Sequence, residues 1–296
     1  MKIKLGQAYS FIQPGVRYSQ EDARFPDVDL PAENQRVFVV CDGVGGNDKG
    51  EVASRTVCDA IGEALAQRDL SKPLSEKDFS LVLGKAYQAL DKAAEQAREM
   101  STTMALMVFH GAGALVAHIG DSRIYQVRPG VGIMYRSDDH SLVNAMIHAG
   151  KLSPDAAETY PKRHYVTRSM SCATDMRDPA EVLQITNIEE GDYFVLATDG
   201  LINEVSDSEL EEIFNLEIQD EEKVKMLQKI SEDSDDNSAV IVVPVVDVIK
   251  DEPLTHKTQR KSSIITEELP SLGDGVVSQV MPKDSFLNRL KKLFKK

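Results

Sequence analysis

The sequence has no apolar run long enough to cross a membrane, for which about 18 consecutive apolar residues would be needed. Its first residues lack the apolar stretch and the small-residue cleavage site of a signal peptide. Cysteine is scarce, and the three residues Cys41, Cys58 and Cys172 form no C-x-x-C pair. This spacing disfavours a disulfide framework and a structural zinc site, so we expect a protein of the reducing cytoplasm.

Basic residues are fewer than acidic residues. The 296 residues include 34 Lys and Arg against 48 Asp and Glu, which gives a formal net charge of −14. Such an acidic excess argues against a nucleic-acid partner for the main body of the chain. With 42% hydrophobic residues, the sequence can nevertheless bury a substantial core.

The charge is unevenly distributed along the chain, and its distribution predicts the domain organisation. Residues 1–246 carry 24 basic and 41 acidic side chains, a net charge of −17, whereas residues 247–296 carry 10 and 7, a net charge of +3. Polar residues, Pro and Gly without periodicity are typical of a linker. The sequence therefore predicts one domain over 1–246, a flexible linker over 247–284 and a separate basic segment over 285–296.

Strand and helix patterns alternate within the first 246 residues. Short apolar runs predict strands at 37–41, 104–109, 114–119, 123–127, 193–197 and 239–246. Apolar stripes at helical spacing predict helices at 51–67, 75–99, 142–149, 207–214 and 220–230. Gly-containing turns between the three central strands predict an antiparallel meander. This order favours an α+β layered fold over a repeated βαβ order.

Carboxylates stand where several of these strands end or begin. Asp42, Asp121 and Asp199 follow apolar runs, Asp235-Asp236 precedes the last strand, and Glu21-Asp22 lies near the N-terminus. Ionised carboxylates beside a dry sheet are costly unless they are paired or bind a metal, and oxygen ligands suit Mg²⁺ or Mn²⁺. The alternative is that each Asp simply begins a turn. Gly after Asp42 and after Asp199 favours a ligand site, because Gly allows the backbone to come close.

Common phosphate-binding and nucleophile motifs are missing. The Gly-rich stretch after Asp42 fits neither the dinucleotide nor the Walker pattern, because Asp48 replaces the third Gly and Lys49 precedes Gly. The acidic run before the last strand fails the EF-hand pattern, with Ser238 and Pro244 at two required positions. Neither a cysteine-phosphatase loop nor a Gly-x-Ser-x-Gly elbow is present, so we expect no covalent catalysis by Cys or Ser.

The carboxylates belong to a series of short motifs spread over most of the chain. In order, these are Arg17-x-x-x-Glu21-Asp22, Asp42-Gly43-Val44-Gly45-Gly46, Gly50-Glu51-x-Ala53-Ser54, Ser101-Thr102-Thr103, Gly120-Asp121-Ser122-Arg123, Asp139-His140-Ser141, Ala197-Thr198-Asp199-Gly200-Leu201 and Asp236-Asn237. The series resembles the bacterial form of the PP2C (PPM) family of metal-dependent serine/threonine protein phosphatases, over about residues 6–246. The resemblance implies an αββα sandwich, in which two antiparallel sheets are flanked by helices, with a metal site in a cleft at one edge.

The same resemblance implies a role for each carboxylate of a binuclear site. Asp42 would bridge two Mn²⁺ or Mg²⁺ ions, and Asp199 and Asp236 would hold one of them. The Gly43 carbonyl and, through water, Glu21 would hold the other. Water bridging the two ions would then attack the phosphorus, without a phosphoenzyme.

Three further residues complete the implied site. Asp22 would lie close to the metals, and Asp121 would share a third, weaker ion with Asp199. Arg17 would clamp the substrate phosphate, because its planar fork matches phosphate oxygens.

The sequence departs from the family pattern at Gln20, Asn47 and Val44. Family members usually have Asn at the first position, bacterial members often have His at the second, and animal members have a proposed general-acid His at the third. The donor of the leaving-group proton is therefore unassigned, and a metal-bound water is the expected donor. Two other functions stay open: a phosphoprotein-binding pseudophosphatase, and a phosphatase of a small phospho-metabolite.

Two more segments carry expectations about partners. Residues 153–170 correspond to the family's flap, which would help to choose substrates, or are an ordinary surface loop. Residues 285–296 place five apolar side chains on one helical stripe among five basic ones, with Ser285 as the N-cap. They predict docking to an anionic membrane surface or a partner, against the alternative of a disordered tail. We expect a monomer that acts on phosphorylated proteins made by a Ser/Thr kinase, in the cytoplasm or at its inner membrane face.

Overall fold

A computed structural model describes residues 1–44, 49–94, 100–157, 159–172 and 177–250. One compact unit spans Met1–Ile249. The Gly-Gly pair after Val44, the end of the second predicted helix, most of the predicted linker and the basic segment 285–296 lie outside the described residues.

The described residues form thirteen strands and seven helices. The strands are β1 (Lys2–Leu5), β2 (Tyr9–Gln13), β3 (Ala23–Phe25), β4 (Val37–Cys41), β5 (Ser101–Thr102), β6 (Met104–His110), β7 (Gly113–Ile119), β8 (Arg123–Arg128), β9 (Gly132–Arg136), β10 (Met170–Ser171), β11 (Glu181–Ile185), β12 (Tyr193–Ala197) and β13 (Ser238–Ile249). The helices are α1 (Gly50–Ala66), α2 (Glu76–Ala93), α3 (Leu142–His148), α4 (Pro154–Ala157), α5 (Asp199–Ile202), α6 (Asp207–Phe214) and α7 (Asp220–Ile230).

The strands form two main antiparallel sheets. One sheet has the order β11-β7-β6-β4-β3, and the other has the order β1-β13-β12-β8-β9, with β2 also paired to β13. The remaining strands, β5 and β10, form a two-stranded ribbon. The predicted α+β class is confirmed.

The core between the sheets is built by alternation along each strand. In β4, Phe38 and Val40 face the other sheet, while Val37 and Val39 face the helices. Phe109 of the first sheet packs edge-on against Phe194 of the second, with ring centroids 5.1 Å apart. Because β4 is buried on both faces, it is a continuous apolar run in the sequence, which is why it could be predicted.

Helices cover the outer face of each sheet. Helices α1 and α2 bury their apolar stripes against the five-stranded sheet, and Ser75 and Asp78 form a capping box at the start of α2. On the other side, Phe214 of α6 packs on Tyr193 of β12, with ring centroids 4.7 Å apart. The layers therefore follow the expected αββα order. Within the described residues, no helix combines the length and the apolar character that a membrane crossing needs.

The predicted meander of three central strands is only partly correct. Strands β6 and β7 pair, but β8 belongs to the opposite sheet. The chain changes sheets at Gly120, whose φ of +106° suits Gly and whose added Cβ would lie 2.6 Å from the Thr103 methyl group. Because of this crossover, Asp121 lies at the edge of the sandwich.

Candidate metal centre

A cleft of about 610 Å³ brings together the residues that the sequence singled out. Its lining includes Arg17, Glu21, Asp42, Gly43, Asp121, Asp199 and Asp236. These residues come from five separate segments of the chain, so the sheets and their crossover, not local sequence, place them side by side. Asp22 is the exception: its side chain is buried and does not line the cleft.

Asp42 is held at the end of β4 by backbone and hydroxyl contacts. Its N–H donates to the Thr103 hydroxyl at 2.9 Å, and its carbonyl accepts from the Thr102 hydroxyl at 2.7 Å. The next residue, Gly43, cannot be larger, because an added Cβ would lie 2.5 Å from the Gly50 carbonyl oxygen. These contacts fix the backbone of Asp42 and Gly43 at the end of β4.

Asn237 fixes the loop that carries Arg17 and Glu21. Its amide nitrogen donates to the carbonyls of Pro14 and Ser19, both at 2.9 Å, and its amide oxygen accepts from the Glu21 N–H at 2.8 Å. One side chain thus ties the N-terminal loop to the start of β13. The sequence placed Asn237 in a motif but gave it no role.

Asp199 is the first residue of the short helix α5, and Asp22 contacts the preceding residue, Thr198. The Thr198 hydroxyl donates to Asp22 at 2.7 Å and accepts from the Ala239 N–H at 2.8 Å. A Cβ at Gly200 would overlap the Asn237 carbonyl, so this turn lies directly on the start of β13. We conclude that Asp22 positions the strand ends next to the cleft.

Arg17 lies at the mouth of the cleft and contacts the last acidic loop. Its Nη2 donates to the Asp236 carboxylate at 2.9 Å, and its Nε donates to the Asp235 carbonyl at 2.7 Å. The guanidinium is half exposed, so it is accessible to a phosphate that enters the cleft.

The carboxylates repel one another, and this repulsion adds to the effect of burial in raising their pKa values. Burial, followed by the charges of neighbouring carboxylates, raises the pKa of Asp42 well above its ordinary value. Burial and the charge of Asp236 raise the pKa of Asp199 to about 6, and burial and Asp199 raise that of Asp121 to about 7. Burial also raises the pKa of Asp22, against the lowering effect of its bond from Thr198. A cation that compensates this charge favours the fully ionised form of the cluster at neutral pH.

One carboxylate oxygen of the cluster has no hydrogen-bond partner among the described residues. Asp199 Oδ1 is buried and accepts no hydrogen bond from this part of the chain, although buried carboxylate oxygens are normally satisfied. An unpaired oxygen in a set of oxygen ligands matches what Mg²⁺ or Mn²⁺ requires. The residues present therefore fit a divalent metal centre.

A second group of possible metal ligands, His118, His140 and Glu181, is less suitable. The two imidazole rings are stacked, with centroids 4.5 Å apart and planes 13° from parallel, so their lone pairs cannot point at one ion. Arg168 Nη1 also lies 3.3 Å from His140 Nε2 and adds a positive charge. His140 instead accepts from the Gly120 N–H at 3.1 Å, next to Asp121.

Residues of the predicted flap reach the cleft. Arg163, His164 and Val166 line it, which favours the flap over an ordinary surface loop. None of these three residues has an individual role in the sequence analysis, because nothing in a loop with two prolines reveals which side chains turn inward.

The cysteines take no part in the cleft. Cys41, Cys58 and Cys172 are all buried as free thiols, and none of them lines the cleft. Cys172 Sγ accepts from the Met100 N–H at 3.2 Å, which is a structural contact.

Comparison with known proteins agrees with this geometry. Residues 27–232 match the family described as Protein phosphatase 2C. The chain is 30% identical over 213 residues to the protein phosphatase PhpP of Streptococcus pneumoniae, an alignment that covers 70% of this chain and 85% of that protein. Arg17, Glu21, Asp22 and Asp236 lie outside the matched range, so their assignment depends on the structure.

Solved structures share the fold. The serine/threonine phosphatase Stp1 from Staphylococcus aureus superposes with a TM-score of 0.71 at 27% identity, covering 82% of this chain and 97% of that one. The catalytic domain of the phosphatase PstP, in complex with two manganese ions, gives a TM-score of 0.67 at 24% identity, over 83% and 100% of the two chains. At that identity, the second likeness supports the fold alone.

Proposed function

Since the chain belongs to the Protein phosphatase 2C family, we propose that its acidic cleft hydrolyses phosphoserine and phosphothreonine in proteins with two divalent ions bound. The chain is a metal-dependent serine/threonine protein phosphatase, as its named relatives are serine/threonine phosphatases. The observation that carries the assignment to this cleft is the convergence of five carboxylates from separate segments of the chain. One of them has a buried oxygen without a hydrogen-bond partner among the described residues.

The proposed metal ligands follow from the position of each side chain. Asp42 is central: its pKa is raised first by burial and then by the charges of four carboxylates, those of Asp22, Asp199, Asp121 and Asp236. We assign it as the bridging ligand. Asp199 and Asp236 would bind one ion, and the other would be bound by the Gly43 carbonyl and by Glu21 through water.

The remaining acidic residues have outer roles. Asp121, whose pKa is raised by burial and then by the charge of Asp199, would share a third ion with Asp199. Asp22 would not touch a metal, since its carboxylate contacts Thr198 and Asp42 and does not line the cleft. The all-oxygen ligand set suits both Mn²⁺ and Mg²⁺.

The protein's own residues would bind and orient the phosphate. Arg17 would turn its fork from Asp236 to the phosphoryl oxygens, while Asn237 keeps the Arg17 loop in place. The ions, when bound, would acidify a water molecule into the nucleophile and offset the charge of the transition state. Asp42 and Asp199 would hold this centre rigid, because Thr103 and the start of α5 fix their backbones.

Two alternatives keep the cleft but change the function. A pseudophosphatase would bind phosphoproteins without turnover, and a metabolite phosphatase would prefer small phosphate esters. An assay of purified protein with Mn²⁺ and p-nitrophenyl phosphate tests the pseudophosphatase alternative. We expect release of phosphate, which a pseudophosphatase would not produce. A panel of phosphoserine and phosphothreonine peptides against small phosphate esters separates the second, because we expect higher kcat/KM on the peptides.

Replacing Arg17 by Ala should weaken phosphate binding. Charged hydrogen bonds contribute ~1.5–3 kcal/mol, so kcat/KM on a phosphopeptide should fall about 10- to 100-fold, mainly through KM. Arg17→Lys should restore only part of the loss, because a point charge replaces a fork. Arg68→Ala, at another arginine paired with an aspartate, is the control. Unchanged kinetics in both Arg17 variants would move the phosphate clamp elsewhere.

We propose further that the enzyme is a cytoplasmic monomer, recruited to its substrates by the basic segment 285–296. The catalytic domain would end with β13, whose last residue Ile249 pairs with Lys2 of β1, slightly beyond the predicted end at 246. Residues beyond it would act as the linker. Twelve residues are too few for a stable free helix, so a surface would have to induce it. Each of the five basic residues would contribute up to ~1 kcal/mol to binding of the segment to an anionic membrane.

Liposome co-sedimentation tests this recruitment. Full-length protein should partition onto anionic vesicles at least about tenfold more strongly than a chain ending at Lys250, since five basic residues and an apolar stripe are lost. Full-length protein with Leu290→Ser and Leu293→Ser keeps the charge and should show an intermediate affinity. Equal partitioning of the full-length and shortened chains would rule out membrane docking, and phosphatase activity on peptides should be the same in all three.

A further inference from the structure

The leaving oxygen of a phosphoserine needs a proton, and the cleft contains a group that can supply it. Five of the six histidines fall within the described residues, and among these His164 lines the cleft. His110, His118 and His140 are buried and hydrogen-bonded elsewhere, and His148 is exposed beside Asp138. Resting on the function proposed above, we propose that His164 is the general acid that protonates the leaving oxygen.

Backbone hydrogen bonds fix the position of His164. The next residue, Tyr165, donates its N–H to the Lys162 carbonyl at 3.1 Å, and its own carbonyl accepts from the Leu142 N–H at 2.9 Å. Val166 forms a bridge with Ser141, and the Thr167 N–H donates to the His140 carbonyl at 2.7 Å. The segment is therefore attached to the body of the domain, and His164 is presented to the cleft from a fixed backbone.

His164 is on the solvent side of the cleft. The imidazole is exposed, whereas Asp42 and Asp199 are half-buried. Asp236 is close enough to raise the pKa of His164, although burial and the Arg163 charge lower it overall. An acid at the mouth faces the leaving group when the nucleophile attacks from the carboxylate side, as in-line displacement requires.

A neighbouring arginine controls the state of the imidazole. Arg163 Nε donates to His164 Nε2 at 2.8 Å, so without substrate Nε2 carries a lone pair and the ring is neutral. A phosphate dianion attracts the Arg163 fork, which leaves Nε2 to take a proton from solvent. The two negative charges of the substrate also favour the imidazolium. Nε2–H then lies beside the group that Arg163 has bound.

The step balances in atoms and charge. Hydroxide, formed from water that has lost a proton to solvent, makes the new bond to phosphorus. The bond from phosphorus to the serine oxygen breaks, and its electron pair stays on that oxygen. The serine oxygen takes the proton from Nε2, which gives serine, hydrogen phosphate and neutral imidazole. The imidazole regains its proton from solvent when the next substrate binds.

His164→Gln separates proton transfer from hydrogen bonding, because the Gln amide places an N–H near the position of Nε2 but cannot release it. A general acid contributes about 10²- to 10⁴-fold, so we expect kcat on a phosphoserine peptide to fall about 100-fold. For p-nitrophenyl phosphate, whose leaving oxygen needs no proton, kcat should fall less than about threefold. Across aryl phosphates of rising leaving-group pKa, log kcat should fall more steeply for the variant than for the wild-type enzyme.

His148→Gln is the matched control, since His148 is exposed outside the cleft. It should leave both substrates and the aryl series unchanged, and circular dichroism should show equal thermal midpoints for all three proteins. Equal losses of kcat on both substrates would overturn the proposal in favour of a binding role. An unchanged kcat on the phosphopeptide would overturn it in favour of a water molecule as the donor. Wild-type protein that hydrolyses neither substrate would instead contradict the proposed function itself.

Discussion

Asp42→Asn is expected to lower kcat more than ~10³-fold on any phosphate ester, because it removes the charge that would bridge two ions. Asp199→Asn should have a comparable effect. The fold should survive, and the metal-free Asp42→Asn protein should be more stable than metal-free wild type. The reason is that burial and four neighbouring carboxylates make the ionised Asp42 side chain unfavourable in the folded protein. The amide of the Asp42→Asn variant has no charge and avoids this cost.

Asp235→Asn is the matched control for this loss of activity. Asp235 also lines the cleft, but only its carbonyl contacts Arg17, and its side chain is exposed. Its replacement should change kcat less than about threefold, as surface substitutions have small effects. Steady-state kinetics with Mn²⁺ and a thermal melt with a chelator make both comparisons. If either Asp42→Asn or Asp199→Asn kept most of the wild-type activity, the assignment of these residues as metal ligands would be wrong.

The second large effect concerns removal of the ions. Chelation should abolish turnover, and Mn²⁺ should restore it. Saturation at 100 times the dissociation constant contributes ~2.7 kcal/mol, which corresponds to a rise of roughly 5–10 °C in thermal midpoint for a domain of this size.

The pH dependence of stability should differ between the metal-free and the metal-loaded protein. In the folded, metal-free protein the pKa of Asp199 is raised to about 6 and that of Asp121 to about 7, above about 4 in the unfolded chain. The folded state therefore holds more protons, and this contribution to stability is lost as pH rises through 6 to 7. Bound ions keep the carboxylates ionised, so in the metal-loaded protein the same residues favour higher pH.

Thermal melts at pH 5.5 and pH 8, each with chelator or with Mn²⁺, measure this difference. Burial lowers the pKa of His110 and of His140, which favours stability at higher pH in both forms. The difference between the two pH profiles therefore isolates the carboxylates. Mn²⁺ stabilisation that is equal at the two pH values would show that these side chains do not bind the ions.

The elements that the sequence predicted are those whose burial is visible in local periodicity. Strand β12 and helices α6 and α7 have the predicted bounds, because each combines a clear apolar pattern with a sharp polar end. Strands β3, β9 and β11 were not predicted, since all three are sheet edges and β9 is only partly covered. Edge strands of this kind have little apolar signal.

The candidate site was predictable as a set of residues but not as a geometry. The carboxylates were recognisable from their positions beside apolar strands, which two sheets then bring to one edge. That Asp22 faces Thr198 instead of the cleft depends on the approach of β12 to β13, which no local pattern encodes. The roles of Asn237 and His164 likewise depend on contacts with distant parts of the chain.

The central claim, that the converging carboxylates form a binuclear metal centre, is tested most directly by anomalous diffraction from crystals grown with Mn²⁺. Two anomalous peaks should lie in the cleft, about 3.5–4 Å apart as in two-metal sites, with the Asp42 carboxylate between them. The Asp199 and Asp236 carboxylates should ligate one of the two ions. A cleft without anomalous signal, or a single peak between His118 and His140, would contradict the account.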